Sequence, residues 1–329
     1  MNQGLKIPVV LFVFNRPDTT KVVFERIRSV KPHTLIIVAD GPRSDRPGEP
    51  EACKDVRRIV DKVDWPCELL RNFSETNIGC GLRVAGGLDW VFQQIEEAII
   101  LEDDCVPDPT FFPFCEELLE RYRSQTGIMQ ISGSNALFGR HFVDQSYYFS
   151  KYPHCWGWAT WRRAWRLFDF DMEAWKTERD ECLSHFDDSS ERAFWRSGWD
   201  SLAKGTLNAW AYRWCLACLN ANGLSVTPSV NLVANIGFGS TATHTKSYLA
   251  AIRPAVRKMQ FPLHHPTSLE PNVFADRVTA RRLFYSRSAF GKLVEMITRR
   301  ILAISSSWRA PKSLKSFQAD LHDFRNFRN

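Results

Sequence analysis

The chain has 329 residues, 44% hydrophobic and 24% charged, the make-up of an ordinary globular protein with room for one large domain or two modest ones. No apolar run approaches the ~20 residues of a membrane span, there is no signal-peptide pattern, and nine cysteines without paired spacing exclude a zinc ribbon or a disulfide framework. The expected setting is therefore a reducing cytoplasm. The net charge of +6 is uneven, since residues 277–329 hold twelve Lys+Arg against three Asp+Glu and leave the body mildly acidic.

The first 135 residues alternate with a regular beat. Residues 6–16, KIPVVLFVFNR, read as a buried strand, followed by a helix over 18–30 with Asp18 or a threonine as N-cap. A strand over 34–42, a helix over 50–63, a strand over 67–73, a Gly-rich turn and a helix over 82–95 follow. Residues 98–104 form a fourth strand, 109–124 a fourth helix and 128–135 a fifth strand. Continuous apolar strands alternating with helices predict an α/β fold with a mostly parallel central sheet, helices covering both faces. From about Tyr147 the pattern changes. Residues 147–171 are dense in Trp and Arg, 194–223 read as helical, and 224–239 as a short strand leading into loop. The expected layout is a body over 1–275, in halves 1–135 and 136–275, and a basic helical C-terminal extension over 276–329.

Parallel sheets bind ligands beyond the carboxyl ends of their strands. Here those ends are Phe14-Asn15-Arg16, Ala39-Asp40-Gly41, Glu102-Asp103-Asp104 and Gly133-Ser134-Asn135, polar where the strand bodies are apolar. The run AIILEDDCVPDP raises the sharpest question, because carboxylates at the tip of a buried strand must be desolvated or paired. A solvated acidic turn is the bland reading. A divalent cation, Mg2+ or Mn2+, bound through oxygen is the functional one, and it needs only one or two protein carboxylates. Asp40 on the same rim could accept hydrogen bonds from a nucleobase or ribose. Gly79-x-Gly81 ahead of a helix lacks the dinucleotide fingerprint, so NAD is not expected, but N–H groups at a helix start could meet a diphosphate.

The chain has twelve Trp. Core filling is the ordinary reading, stacking on sugar rings the functional one. In HCWGWATWRRAW, Trp158, Trp161 and Trp165 would share a helical face, whereas Gly157 between Trp156 and Trp158 suggests an aromatic loop closing on a sugar. Cys215 and Cys218 read as helix core. No serine-hydrolase elbow, zinc-protease motif or P-loop is present.

Together these stretches resemble the GT-A glycosyltransferases, the nucleotide-sugar-dependent group, and in particular a bacterial family related to family-2 enzymes. There is a more distant likeness to the Golgi N-acetylglucosaminyltransferase that initiates complex N-glycans. The matching stretches are VFNRPDTT, VADGPR, NIGCG, LEDDCVPDPTFF, ISGSN, YPHCWGWATWRRAW, NLVANIGFG, ATHT and FPLHHP, spanning roughly residues 6–266.

The resemblance implies a nucleotide-binding half over 1–135, an acceptor-side half over 136–275, and a role for each motif. Asp104 would bind the metal, while Glu102 and Asp103 would orient ribose and sugar hydroxyls. Phe14, Asn15, Arg16 and Asp40 would hold the nucleoside, with Asn77, Gly79 and Gly81 close to the nucleotide. Ser134, Asn135, Trp156, Gly157 and Trp158 would lie on the substrate side, and His244 would reach the diphosphate or metal. The implied activity is metal-dependent, inverting sugar transfer from a nucleotide diphosphate donor, a UDP-sugar first among them, to a glycan or lipid-linked hydroxyl in bacterial surface polysaccharide synthesis.

In one place the chain departs from that family. Relatives carry Asp in a Trp-Asp-Tyr context, suited to deprotonating the acceptor. This chain reads NAWAYRW, with Ala211 there. Either another carboxylate serves, with Asp200 the best substitute by sequence, or the chain is a catalytically silent binder of nucleotide sugar or glycan, naturally or by inactivation. In the basic tail, Phe290, Leu293, Val294, Ile297 and Ile301 form a helical stripe that would pack on the body or lie on anionic lipid at the inner face of the membrane. Sugar-1-phosphate nucleotidyl transfer would need a Gly-rich N-terminal loop that FVFNRPDTTK lacks, and nucleic-acid binding has only the tail charge behind it.

Overall fold

The computed structural model describes residues 4–137, 139, 143–237 and 254–284, all within one compact unit, Met1–Tyr285. In chain order the elements are β1 (Val9–Val13), α1 (Pro17–Val30), β2 (Thr34–Ala39), α2 (Glu49–Val60), β3 (Glu68–Phe73), α3 (Cys80–Gln94), β4 (Glu97–Glu102) and β5 (Cys105–Pro107). Then come α4 (Phe111–Arg121), β6 (Ile128–Ser132), β7 (Tyr147–Ser150), β8 (Trp158–Trp161), α5 (Arg162–Trp165), α6 (Glu173–Thr177) and α7 (Arg179–Ser184). The series ends with α8 (Ser189–Ala203), α9 (Trp210–Asn220), β9 (Leu224–Pro228), β10 (Val233–Asn235) and α10 (Val273–Leu283).

The fold is mixed α/β around an eight-stranded sheet in the order β3-β2-β1-β4-β8-β6-β9-β7. The expectation of a mostly parallel sheet fits in part. β3, β2, β1 and β4 are parallel, as are β6 and β9, but β8 pairs antiparallel with both β4 and β6, and β7 antiparallel with β9. β5 and β10 make a separate two-stranded ribbon. The expected boundary at residue 275 falls inside α10, whose Asp276 carboxylate accepts from Ser150 Oγ at 2.6 Å on β7. The tail stripe from Phe290 to Ile301 lies outside the described residues.

Period-two alternation sends side chains to opposite faces of the sheet. Val9, Leu11, Val13, Leu35 and Ile37 meet Val23, Phe24 and Ile27 of α1 and the phenylalanines of α4. Val10, Phe12, Ile36 and Val38 meet Val84, Leu88 and Val91 of α3 with Trp210 and Trp214 of α9. A third cluster under α6, α7 and α8 is built on Trp175, Trp195 and Trp199.

The spacing of Trp158, Trp161 and Trp165 misleads as a helical face. Trp158 and Trp161 sit three apart on the strand β8, so Trp158 packs with α3 and α9 while Trp161 packs with α4 on the opposite face. Only Trp165, on α5, is helical. The expected N-cap of α1 also moves. The helix starts at Pro17, a favoured first position, with Arg16 at the cap and no side-chain cap, and Thr20 Oγ1 donates back to the Arg16 carbonyl at 2.7 Å. All nine cysteines are free thiols.

Candidate active site

The carboxyl ends of β1, β2 and β4 open into a cavity of about 590 Å³. Phe14, Asn15 and Arg16 follow β1, Asp40 follows β2, Glu102 ends β4 with Asp103 and Asp104 just beyond it, and all of them line it. Asn77 and Gly79, before α3, form another side. Trp156 and the segment 208–212 at the start of α9 face them.

The acidic tip has a positive partner within the chain. Asp103 and Asp104 are buried, at 2% and 8% exposure. Arg16 Nη2 and Nε both donate to the Asp103 carboxylate, and Arg16 Nη1 donates to Asp104 Oδ2 at 2.8 Å. Burial alone would lower the Arg16 pKa, but the two carboxylates outweigh it and the net shift is upward. Burial raises the Asp103 carboxyl even against Arg16, with Asp104 adding to the rise, and raises Glu102 with help from Asp104 and Asp103. Arg16, expected to hold a nucleoside, here pairs with both aspartates of the tip.

The β5–β10 ribbon fixes Asp104 from behind. Asn235 Nδ2 donates to Asp104 Oδ1 at 3.3 Å, and Ile236 N donates to the Asp104 carbonyl at 2.8 Å. Gly237 is pressed so closely that an added Cβ would lie 2.0 Å from Asp104 Oδ2, so only glycine fits without displacing the carboxylate. Asn235 escaped the residue-by-residue sequence reading, and its pairing opposite Cys105 in the ribbon is what brings it here.

Asp40 is occupied in another way. Its Oδ1 accepts from Gly41 N at 2.9 Å and Ile78 N at 3.0 Å. Its Oδ2 accepts from Asn77 Nδ2 at 3.0 Å and Gly79 N at 3.1 Å. Four donors fill a carboxylate's acceptor sites. The expected partner of a nucleoside is therefore, in this structure, the anchor of the turn before α3. That turn needs Gly79 at φ +84°, a left-handed value few other residues hold cheaply. Gly81 N, inside α3, donates to Asn208 Oδ1 at 2.9 Å, so a side chain from the far wall caps this helix. Nothing in the sequence singles out Asn208.

Around the remaining rim, Asn15 Nδ2 donates to Glu49 Oε1 at 2.8 Å, and Glu49 also holds Arg43, whose guanidinium lies 5.6 Å over the Phe14 ring. Arg83 lines the cavity from α3, and burial lowers its pKa.

The substrate-side residues divide. Trp156 lines the cavity at 40% exposure, set apart from the other described tryptophans, most of which are buried. Trp158 is 1% exposed and stacks on Trp210 at 5.5 Å within the core, so it offers no wall. Gly157 is outside the lining, and its carbonyl accepts from Gly133 N at 2.7 Å. Ser134 Oγ donates to the Trp156 carbonyl at 2.9 Å, bracing the loop from below. Asn135 is committed to the Pro228 carbonyl, to Asn231 and to Leu137 N. The cause is β8. Inserted between β4 and β6, it moves the β6 carboxyl end two strand spacings, ~10 Å, from β4.

Ala211 lines the cavity in the first turn of α9, which has neither a side-chain cap nor an acidic residue. Asp200, the substitute suggested by sequence, is not among the lining residues. It accepts from Trp175 Nε1 at 3.2 Å and pairs with Arg179 at 3.2 Å on the outer helical layer. His244 lies outside the described residues. Among the described residues no group of three or more His, Cys, Asp or Glu is arranged to hold a metal, and no helix is long and apolar enough to cross a membrane.

No protein-family model and no curated relative matches the chain. It is similar over 50% of its length, and over 46% of the other chain, to the mannosyltransferase PcManGT from Pyrobaculum calidifontis in complex with GDP-Man and Mn2+, at 14% identity and a TM-score of 0.34. It is similar over 45% of its length to a UDP-glucose pyrophosphorylase complexed with UDP-glucose, covering 64% of that chain at 11% identity and a TM-score of 0.25. The chain thus spans less than two thirds of either. At those values the function has to be argued from the cavity itself.

Proposed function

We propose that the chain binds a nucleotide diphosphate sugar in this cavity and belongs to a metal-dependent, inverting type of glycosyltransferase acting on a glycan or lipid-linked hydroxyl. The observation that carries the reading is the meeting, at three adjacent strand ends, of the acidic tip and Arg16 with the start of α3. Phe14, Asn15, Arg43 and Asn77 are the residues proposed for the nucleoside, and Trp156 for a sugar face. Manganese or magnesium fits Asp104, because Asp104 Oδ2 already holds a cation, the Arg16 guanidinium, and a hard ion takes few protein carboxylates beside phosphate oxygens and water. When bound, such an ion stabilises charge on the departing diphosphate as a Lewis acid.

The chain's own part is to bind and orient. The sheet-end wall is the part proposed to position the donor, and Trp156 and Tyr212, which also line the cavity, the part proposed to meet the acceptor. A second reading follows from Ala211, which carries only a methyl group at the position where the resemblance implies the acid that deprotonates the acceptor. In it the protein binds nucleotide sugar without turning it over.

Thermal unfolding with UDP, GDP, CDP, dTDP and their sugars, each with Mn2+ and then with EDTA, tests both. A saturating ligand at a hundredfold excess over its Kd adds about 2.7 kcal/mol of stability. A metal-dependent shift for one nucleotide is the expected result, and turnover of its sugar separates the two readings. Silence from every nucleotide with metal present overturns both.

A further inference from the structure

This inference rests on the reading that Asp104 receives a divalent cation. Both oxygens of its carboxylate already have partners within the chain. Oδ1 takes Asn235 Nδ2 at 3.3 Å and the Cys105 thiol at 3.5 Å, Gly237 is packed against Oδ2, and the cation position on Oδ2 belongs to Arg16 Nη1 at 2.8 Å. An ion at Oδ2 and a guanidinium at the same oxygen would be like charges within a few ångströms, a strongly repulsive pair in a buried site.

We propose that Arg16 is a built-in competitor for the divalent cation, so that the two occupy Asp104 in turn and the metal position is closed until Arg16 lets go. Nε, Nη1 and Nη2 lie in one rigid plane. Nη1 therefore leaves Asp104 only when Nε and Nη2 leave Asp103, and the whole guanidinium swings out into the cavity that Arg16 lines. The backbone of Arg16 does not need to move, because the Arg16 carbonyl is tied into α1 by Thr20 N at 3.0 Å and Thr20 Oγ1 at 2.7 Å. The tip still attracts an ion, since Asp103 and Asp104 together outnumber the one Arg. Metal alone therefore binds weakly, and the ligand's own oxygens are needed to tip the exchange.

The test measures Mn2+ alone, with no nucleotide, on the full chain. Free Mn2+ is followed by electron paramagnetic resonance for the wild type, Arg16→Gln, Arg16→Lys and the double variant Arg16→Gln/Asp104→Asn. Arg16→Gln is expected to bind Mn2+ at least tenfold more tightly than wild type. Arg16→Lys, whose single ammonium cannot bridge both carboxylates, should fall between, at about threefold. The double variant should lose the gain. Equal or weaker Mn2+ binding in Arg16→Gln overturns the proposal, as does a gain that survives Asp104→Asn. If Arg16→Gln does not fold, by its thermal transition, Arg16→Lys decides by the same criterion. The nucleotide shifts of the wild type are a separate measurement, so a fixed Arg16 bridge and a failed transferase reading give different results.

Discussion

On the sheet side of the cavity the three aspartates are all answered. Asp40 receives four hydrogen bonds from the turn before α3, and Asp103 and Asp104 share Arg16. On the helix side, the start of α9 offers Asn208, Ala209, Trp210, Ala211 and Tyr212, with no carboxylate among them and no cap on the helix. On the proposed function, the sheet side binds the charged donor. The helix side supplies shape and aromatic surface but nothing that takes up a proton at neutral pH. Binding and turnover on that reading fall to different walls, joined where Gly81 N donates to Asn208 Oδ1.

The largest effect should come from dismantling the sheet side. Asp40→Ala strips the acceptor from three backbone N–H groups and from Asn77, and is expected to cost about 3 kcal/mol in urea unfolding, with nucleotide binding lost alongside. A loss below about 1 kcal/mol would mean that the turn stands without its anchor. Equipping the helix side comes next. Ala211→Asp is expected to raise turnover about a hundredfold, and an acid in an uncapped first turn should also add ~0.5 kcal/mol of stability. Unchanged turnover there, with activity abolished in Asp200→Asn, would transfer the base to Asp200.

The acidic tip predicts a pH dependence of smaller size. Burial and neighbouring charge raise the Glu102 and Asp103 carboxyls in the folded protein. The folded state then holds protons that the unfolded chain releases, so stability falls as pH rises from the ordinary carboxyl range near 4 toward the raised values. Glu102→Gln should flatten that fall, gaining on the order of 1 kcal/mol at pH 8 relative to pH 5 by urea unfolding. An unchanged slope would mean that the tip does not carry it. The smallest effect belongs to Asp200→Asn, which removes a partly exposed pair with Arg179 and is expected to cost under ~1 kcal/mol with nucleotide binding intact.

What could be read from the sequence follows the same division. The strand-helix beat of residues 6–135 was legible because each strand is apolar on both faces and each helix carries a clear period. The rim residues Phe14 to Arg16, Asp40 and Glu102 to Asp104 were placed together by the rule of strand carboxyl ends alone. The second half was less legible for physical reasons. Trp158 and Trp161 belong to a strand buried on both faces, where spacing carries no mark of helix or strand. With β8 unread, Ser134 and Asn135 were counted as rim residues of the same cavity. Asn208 and Asn235 arrive through a helix–helix turn and a ribbon that join residues 127 and 131 positions apart, a distance no local pattern reports. The pairing of Arg16 with the acids was missed because an internal cation and a metal answer the same charge pattern.

The place of β8 also bears on how the protein comes into being. β4 is flanked by β1 on one side and by β8 on the other, and β8 lies some sixty residues further along the chain. Until that stretch has emerged from the ribosome, the nascent parallel block ends in a bare edge carrying Ala98, Ile99 and Ile100, the kind of edge that recruits other strands. A fragment ending near residue 135 would keep most of the acidic rim yet tend to aggregate, and soluble expression should return once the chain extends past Trp161.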